Sequence, residues 1–135
     1  MSQTITVTVK GFSVTKCIDP KSKTEIPAKF KPAAVSALKS VSVDPPKGKT
    51  LNPYSVDITV AITMVTGGVK AQVSINVSDQ DPYSKKDKMV GAGSGEAIAK
   101  STKPDKGDTE AAVEAALNGA IKKAIEVVKT NARQP

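Results

Sequence analysis

Histidine and tryptophan are absent from this chain of 135 residues, and cysteine occurs once. The lone Cys17 excludes an intramolecular disulfide, and the lack of histidine removes the side chain that most often serves as general base or metal ligand. No apolar run is long enough to cross a membrane, and the first ten residues alternate apolar with polar ones, unlike a signal peptide. We therefore predict a non-enzymatic protein with no catalytic residues, metal, cofactor or membrane span, located in the cytoplasm, or in a virion if it is a phage product.

Aromatic residues and arginine are also scarce. The aromatic residues are Phe12, Phe30, Tyr54 and Tyr83, and Arg133 is the only arginine among 20 cationic residues. Single-strand binding commonly depends on aromatic stacking, and bidentate recognition of a base or phosphate favours arginine over lysine. Any contact with nucleic acid is therefore expected at the backbone, with little sequence specificity.

Positive charge is in excess, with 20 Lys and Arg against 13 Asp and Glu and a net charge of +7. Residues 1–50 hold nine lysines against Asp19, Glu25 and Asp44, a net charge of +6. Such an excess is typical of proteins that bind nucleic acid or another acidic partner. The alternative is a solvated face without a partner.

The clearest local pattern is a β-hairpin between residues 56 and 79. Residues 56–64 and 69–77 alternate apolar with polar side chains, and Gly67-Gly68 between them predicts a two-residue turn. Each strand then has one apolar and one polar face, so the pattern predicts an antiparallel sheet covered on one side only. The predicted cross-strand pairs are Thr66 with Val69, Ile62 with Val73, Val60 with Ile75, and Ile58 with Val77.

The N-terminal half contains a second strand and a short helix. Residues 4–15 alternate with a change of phase at Gly11, which predicts a β-bulge. The Lys-, Ser-, Thr- and Pro-rich residues 16–31 predict an exposed connection. A short helix is predicted over 32–38, because proline is tolerated in a first helical turn, and another loop over 44–53.

The C-terminal part combines a strand of small residues with a long helix. Odd positions from Gly91 to Ala99 are glycine or alanine, so one face of a strand over 88–100 carries almost no side chain. This face predicts close packing of the final helix, which we expect to begin with Asp108 or Thr109 as N-cap. Its apolar stripe consists of Ala112, Val113, Ala116, Leu117, Ala120, Ile121, Ala124 and Val128.

These patterns predict one α+β domain over residues 1–135. Its sheet is mainly antiparallel, the element order is β-α-β-β-β-α, and the long C-terminal helix packs on one face. Two motifs do not change this prediction. The Gly91-Ala-Gly93-Ser-Gly95 run has Glu96 where a dinucleotide fingerprint needs glycine, and the aspartates around residues 79–87 lack the other ligands of a calcium loop.

One family shares the strand-to-helix pattern. Val90, Gly91, Gly93 and Glu96 precede a helix with Ala112, Val113, Ala116, Leu117 and Ala120. Residues 56–122 thus resemble the β-β-β-α core of the single-strand annealing recombinases of eukaryotes and phages, with Ala92 where that family has an aromatic residue. The resemblance implies self-association and nucleic-acid binding. Similar patterns occur in envelope assembly modules and double-stranded RNA-binding domains.

The leading hypothesis is a basic, self-associating protein that binds nucleic-acid backbone in annealing or packaging. The alternative is a structural subunit, such as a virion coat or tail protein or an envelope module, that forms homo-oligomers through sheet edges and loops. The predicted nucleic-acid contacts are Lys70, Lys85, Lys86 and Lys88 near the hairpin, Lys100, Lys103 and Lys106 before the final helix, and a second arm of Lys21, Lys23, Lys29 and Lys31.

Overall fold

The computed structural model describes residues 3–80 and 88–134. Within these residues, five strands and two helices follow one another along the chain. They are β1 (Gln3–Lys16), α1 (Ser22–Leu38), β2 (Ser40–Val43), β3 (Tyr54–Val65), β4 (Gly68–Asp79), β5 (Lys88–Lys100) and α2 (Lys106–Ala132).

The strands form one sheet in the order β2-β1-β3-β4-β5. Neighbouring strands are antiparallel except β1 and β3, which are parallel. The chain connects these two strands through α1 and β2. Both helices share a single apolar core with the sheet. The predicted α+β domain with a mainly antiparallel sheet and a long C-terminal helix is confirmed, and the structure adds strand β2, whose Val41 and Val43 are buried.

The β3–β4 hairpin has the predicted faces but a different register. Val65 pairs with Gly68, so the turn consists of Thr66 and Gly67, and only Gly67 has a positive φ, of 81°. The predicted turn at Gly67-Gly68 was therefore wrong by one position, which shifts each cross-strand partner by two residues. Because side chains alternate with a period of two, this shift keeps the apolar face intact. The observed pairs include Ile62 with Ala71, Val60 with Val73, Ile58 with Ile75, and Val56 with Val77.

Helix α1 corrects the prediction of an exposed connection over residues 16–31. It begins at Ser22, ten residues before the predicted start, and contains Pro27 and Pro32. Each internal proline removes a backbone hydrogen bond, so local propensity alone disfavours this helix. Burial supplies the compensation, because four apolar residues spaced by four form one buried stripe. These residues are Ile26, Phe30, Ala34 and Leu38.

Helix α2 also begins earlier than predicted. Its N-cap is Asp105, not Asp108 or Thr109, because Asp105 and Asp108 form a capping box. The Asp105 carboxylate accepts a hydrogen bond from the Asp108 amide, and the Asp108 carboxylate accepts one from the Asp105 amide, both at 3.0 Å. These bonds satisfy two amides that would otherwise lack partners.

Replacing Asp105 with alanine is expected to destabilise the protein by about 1 kcal/mol, the usual effect of removing an N-cap side chain. Asp105→Asn keeps a side-chain oxygen at the cap and is expected to change stability by a few tenths of that value. Urea unfolding followed by circular dichroism measures both. Equal losses for the two variants would contradict the capping role.

The small-residue face of β5 contacts α2, as predicted from the sequence. A Cβ atom added at Gly93 would lie 2.6 Å from the Ala124 amide nitrogen, and one added at Gly95 would lie 2.0 Å from the Ala116 carbonyl oxygen. Glycine at these positions lets the helix backbone approach the strand more closely than any side chain would allow. Helix α2 therefore covers the middle of β5.

Candidate nucleic-acid interface at the hairpin end of the sheet

The predicted lysines do not form one cluster. Lys85 and Lys86 lie outside the described residues. Lys88 begins β5 and pairs with Asp79, so it lies at the end of the sheet opposite the β3–β4 turn. Lys31 is exposed in the middle of α1, away from both ends.

Lys70 lies on the uncovered sheet face, where it is largely neutralised. Its Nζ is 3.1 Å from the Glu96 carboxylate on the neighbouring strand, and Gln72 donates a second hydrogen bond to the same carboxylate. Hydrogen bonds from Lys70 and Gln72 lower the pKa of Glu96, so this acid is charged near neutral pH. The uncovered face is therefore polar, as predicted, but Lys70 gives it little net charge.

Lys29 and Lys106 join the two helices. Lys29 forms an ion pair with Glu110, and the Lys106 Nζ is 3.1 Å from Glu25 and 4.0 Å from Glu110. The hydrogen bond and the charge of Glu25 raise the pKa of Lys106, so this lysine stays protonated. Both lysines have a protein anion as partner and are poorer candidates for binding phosphate than the sequence indicated.

Four other predicted lysines lie at one end of the molecule, which we call the hairpin end because it holds the turn at Thr66 and Gly67. Strands β1, β3 and β5 end there, and both helices begin there. The Ser101 amide donates to the Gly67 carbonyl at 3.0 Å, which fixes the end of β5 against the turn. The lysines at this end are Lys21, Lys23, Lys100 and Lys103, all of them exposed.

The two connections at the hairpin end lie side by side. A cavity of about 200 Å³ has Ile18 and Ser22 on the β1–α1 side and Pro104 and Lys106 on the β5–α2 side. The lysines at the start of α1 and those after β5 therefore share one surface, although they are about 80 residues apart in sequence. Within the described residues, none of the four forms an ion pair.

Lys16 was missed by the sequence analysis and belongs to the same surface. It is the last residue of β1 and lines a shallow cavity of about 600 Å³ together with Lys23, Cys17 and the hydroxyl-bearing Thr15 and Thr63. Among the described residues, no carboxylate lines this cavity. The signal that could have found Lys16 was its position directly after a predicted strand, as the first residue of the lysine-rich segment. We call Lys16, Lys21, Lys23, Lys100 and Lys103 the hairpin-end lysines.

Carboxylates at the hairpin end are engaged with backbone amides or other side chains. Asp19 accepts a hydrogen bond from the Lys21 amide, Asp105 and Asp108 form the capping box, and Glu25 pairs with Lys106. The hairpin-end lysines therefore have no direct carboxylate partner among the residues that the structure describes.

No group of three or more cysteine, aspartate and glutamate side chains within residues 3–80 and 88–134 is arranged to hold a metal ion. Neither described helix has both the length and the apolar composition needed to span a bilayer.

The chain matches no protein-family model, and no curated protein matches its sequence. The resemblance of residues 56–122 to the annealing recombinases therefore stays a prediction. Strands β3, β4 and β5 followed by α2 have the order that this resemblance implies, whereas β1, α1 and β2 lie outside the segment it covers.

Proposed function

We propose that this protein is a basic, self-associating protein that binds nucleic-acid backbone through the hairpin-end lysines, in a packaging or annealing role. The observation that carries the proposal is the presence of five lysines without carboxylate partners at one end of the described structure. Lysine ammonium groups attract phosphates as point charges, and the release of counterions from the nucleic acid supplies the free energy of binding.

The described aromatic residues support contact with phosphates and not with bases. Phe30 and Tyr54 are 6% and 2% exposed, and Phe12 packs against the core. Burial raises the pKa of the Tyr54 hydroxyl, which accepts a hydrogen bond from Asn131 inside the protein. None of these three rings is presented as a stacking platform, so binding is expected to depend little on sequence or on base exposure.

The test is a titration of labelled single- and double-stranded oligonucleotides at 50 and 200 mM salt. Each lysine that contacts a phosphate of a duplex contributes about 0.9 to the slope of log affinity against log salt. Replacing Lys23, Lys100 and Lys103 with glutamine is expected to lower that slope by up to about 2.7 and to weaken binding at low salt by about tenfold or more.

A matched control separates position from net charge. Lys39, Lys47 and Arg133 are exposed and lie away from the hairpin end, so their replacement by glutamine removes the same charge elsewhere. This variant is expected to retain the slope within about one unit. Equal weakening by both triple variants would overturn the hairpin-end site, and no binding of the unmodified protein at low salt would overturn the function.

A second candidate is a structural subunit that assembles through its sheet edges, as a coat, tail or envelope protein does. Strand β5 favours it, because this strand of 13 residues is the last in the sheet order and has a neighbour on one side only among the described residues. Light scattering with and without oligonucleotide separates the two candidates. A large assembly without nucleic-acid affinity supports the structural subunit.

A further inference from the structure

The free edge of β5 offers backbone groups to another chain. Amide and carbonyl groups on the open side of an edge strand readily pair with a further strand. The segment of interest is the last part of β5, residues 96–100, which pairs with the start of β4. Ile98 lies in this segment and is 54% exposed, an unusual position for a large apolar side chain.

The three side chains on the uncovered side of this segment carry opposite charges at the two ends and an apolar group in the middle. Glu96, Ile98 and Lys100 lie opposite Gln72, Lys70 and Gly68 of β4, so all three share the uncovered face. An acid, an apolar residue and a base thus follow one another at alternate positions. An antiparallel copy of this segment would place its base opposite the acid and its acid opposite the base.

We propose that the occupant of this edge is a second copy of the chain, paired antiparallel through β5 about a two-fold axis at Ile98. In this register the two Ile98 side chains are directly opposite each other, and Glu96 lies opposite Lys100 of the second copy. Because a two-fold interface is self-complementary, the Glu96–Lys100 contact forms twice, in addition to the contacts that each Glu96 makes with Lys70 and Gln72 of its own chain. The two five-stranded sheets then join into one continuous sheet.

Two observations select this register over others along the strand. Around Gly93 and Gly95 the backbone of α2 lies directly against β5, so a two-fold axis there would bring two helices into the same space. At the hairpin end, the Lys106–Glu25 ion pair joins the start of α2 to α1, so this part of α2 lies away from the β5 edge. Centring the axis on Glu96 instead would place two like charges opposite each other, which is destabilising.

On the covered side of the same segment, Ala97 and Ala99 are partly buried and pack against the core. The interface is short, and we expect a dimer that dissociates on dilution and not an obligate one.

Because the two copies of β5 are antiparallel, their hairpin ends would point in opposite directions on the two sides of the axis. The dimer would then hold two sets of hairpin-end lysines on one continuous sheet, one set on each side. The inference rests on the self-association in the proposed function and is tested without nucleic acid, so its failure leaves oligonucleotide binding by the unmodified protein as a separate test of that function.

Disulfide trapping tests the position of the axis. Cys17 is replaced with serine and Ile98 with cysteine, and mild oxidation at about 10 and 100 µM protein is followed on non-reducing gels. Directly opposite residues of antiparallel strands have Cα atoms about 4.5 to 5.5 Å apart, within the range that a disulfide spans. Ile98→Cys is expected to form covalent dimer at least about tenfold faster than the control at equal concentration.

The control is Met64→Cys in the same background, since Met64 is 55% exposed and lies on β3 instead of the edge strand. Ser94→Cys tests an axis nearer the middle of β5. Faster trapping at position 94 than at 98, or equal trapping at 98 and 64, would overturn the proposal.

Charge reversal gives a second, non-covalent readout by light scattering. Lys100→Glu places an acid opposite Glu96 of the second copy and is expected to abolish the dimer. Adding Glu96→Lys to the same chain restores opposite charges across the axis and is expected to restore it, with circular dichroism confirming that each variant is folded. A dimer unaffected by Lys100→Glu, or a protein that stays monomeric at the highest concentration, would contradict the inference.

Discussion

Replacing Gly95 with alanine is expected to lower the free energy of unfolding by about 3 kcal/mol, the upper part of the range for overpacking a well-filled core. The added Cβ atom would lie 2.0 Å from the Ala116 carbonyl oxygen and 2.8 Å from the Ala120 amide nitrogen. Both are backbone atoms in the middle of α2, so no side-chain rotation relieves the contact. The helix must move away from the sheet, and contacts along its buried stripe weaken with it. Urea unfolding measures the loss.

Gly119 provides the matched control for this prediction. It lies in α2 on the side facing β5, but a Cβ atom there would approach no nearer than 3.9 Å to its closest neighbour, the Cα atom of Gly95. Gly119→Ala is therefore expected to stabilise the protein by about 0.5 to 1 kcal/mol, because glycine inside a helix costs backbone entropy. A loss of stability for this variant, or none for Gly95→Ala, would show that the helix does not lie on the strand as described.

Replacing Leu38 with alanine is expected to cost about 2 to 5 kcal/mol, the usual range for a fully buried leucine. Leu38 is the last residue of α1 and has no exposed surface. Because α1 contains two prolines, it depends on its buried stripe more than an ordinary helix does. In this variant, hydrogen exchange is expected to show near-complete loss of helical amide protection over residues 22–38, together with the lower stability.

Val35 in the same helix serves as the control, since it is 41% exposed. Val35→Ala is expected to change stability by no more than about 0.5 kcal/mol. If the two alanine variants had equal stability, the buried stripe would not be what holds α1 on the sheet.

Charge illustrates how three-dimensional position changes a conclusion drawn from composition. Residues 1–50 carry most of the net charge in the sequence. In the structure, however, Lys29 and Lys106 form ion pairs between α1 and α2, with Glu110 and Glu25 as their partners. Conversely, Lys16 and Lys100 are 84 positions apart in the chain and lie at the same end of the sheet. Distance along the sequence predicts neither the ion pairs nor the lysines that lie together, because both depend on which helices and strands pack against each other.

Local periodicity predicted the elements whose side chains alternate strictly. The faces of β3 and β4 are as expected, and the bulge near Gly11 is present, with a register shift between Val9 and Gly11 in the β1–β3 pair. The close contact of α2 with the small residues of β5 also followed from the sequence, since a strand without side chains on one face needs a partner that can approach its backbone.

The errors arose where local signals compete with burial. Prolines and lysines over residues 16–31 indicate a loop, but four apolar residues spaced by four bury one side of α1, and this burial outweighs the local cost. The hairpin turn was misplaced by one position, and the N-cap of α2 by three or four. Two adjacent glycines, or two aspartates three apart, satisfy the local rule at more than one position.

The sequence by itself determined the α+β class, the one-sided sheet, the long C-terminal helix and the basic, lysine-dominated character, because each follows from composition or short-range periodicity. Tertiary structure alone decided which lysines have protein anions as partners, which of them share the hairpin end, and which strands lie at the edges of the sheet. Those properties depend on contacts between residues far apart in the chain, and such contacts are set by how the helices and strands pack against one another.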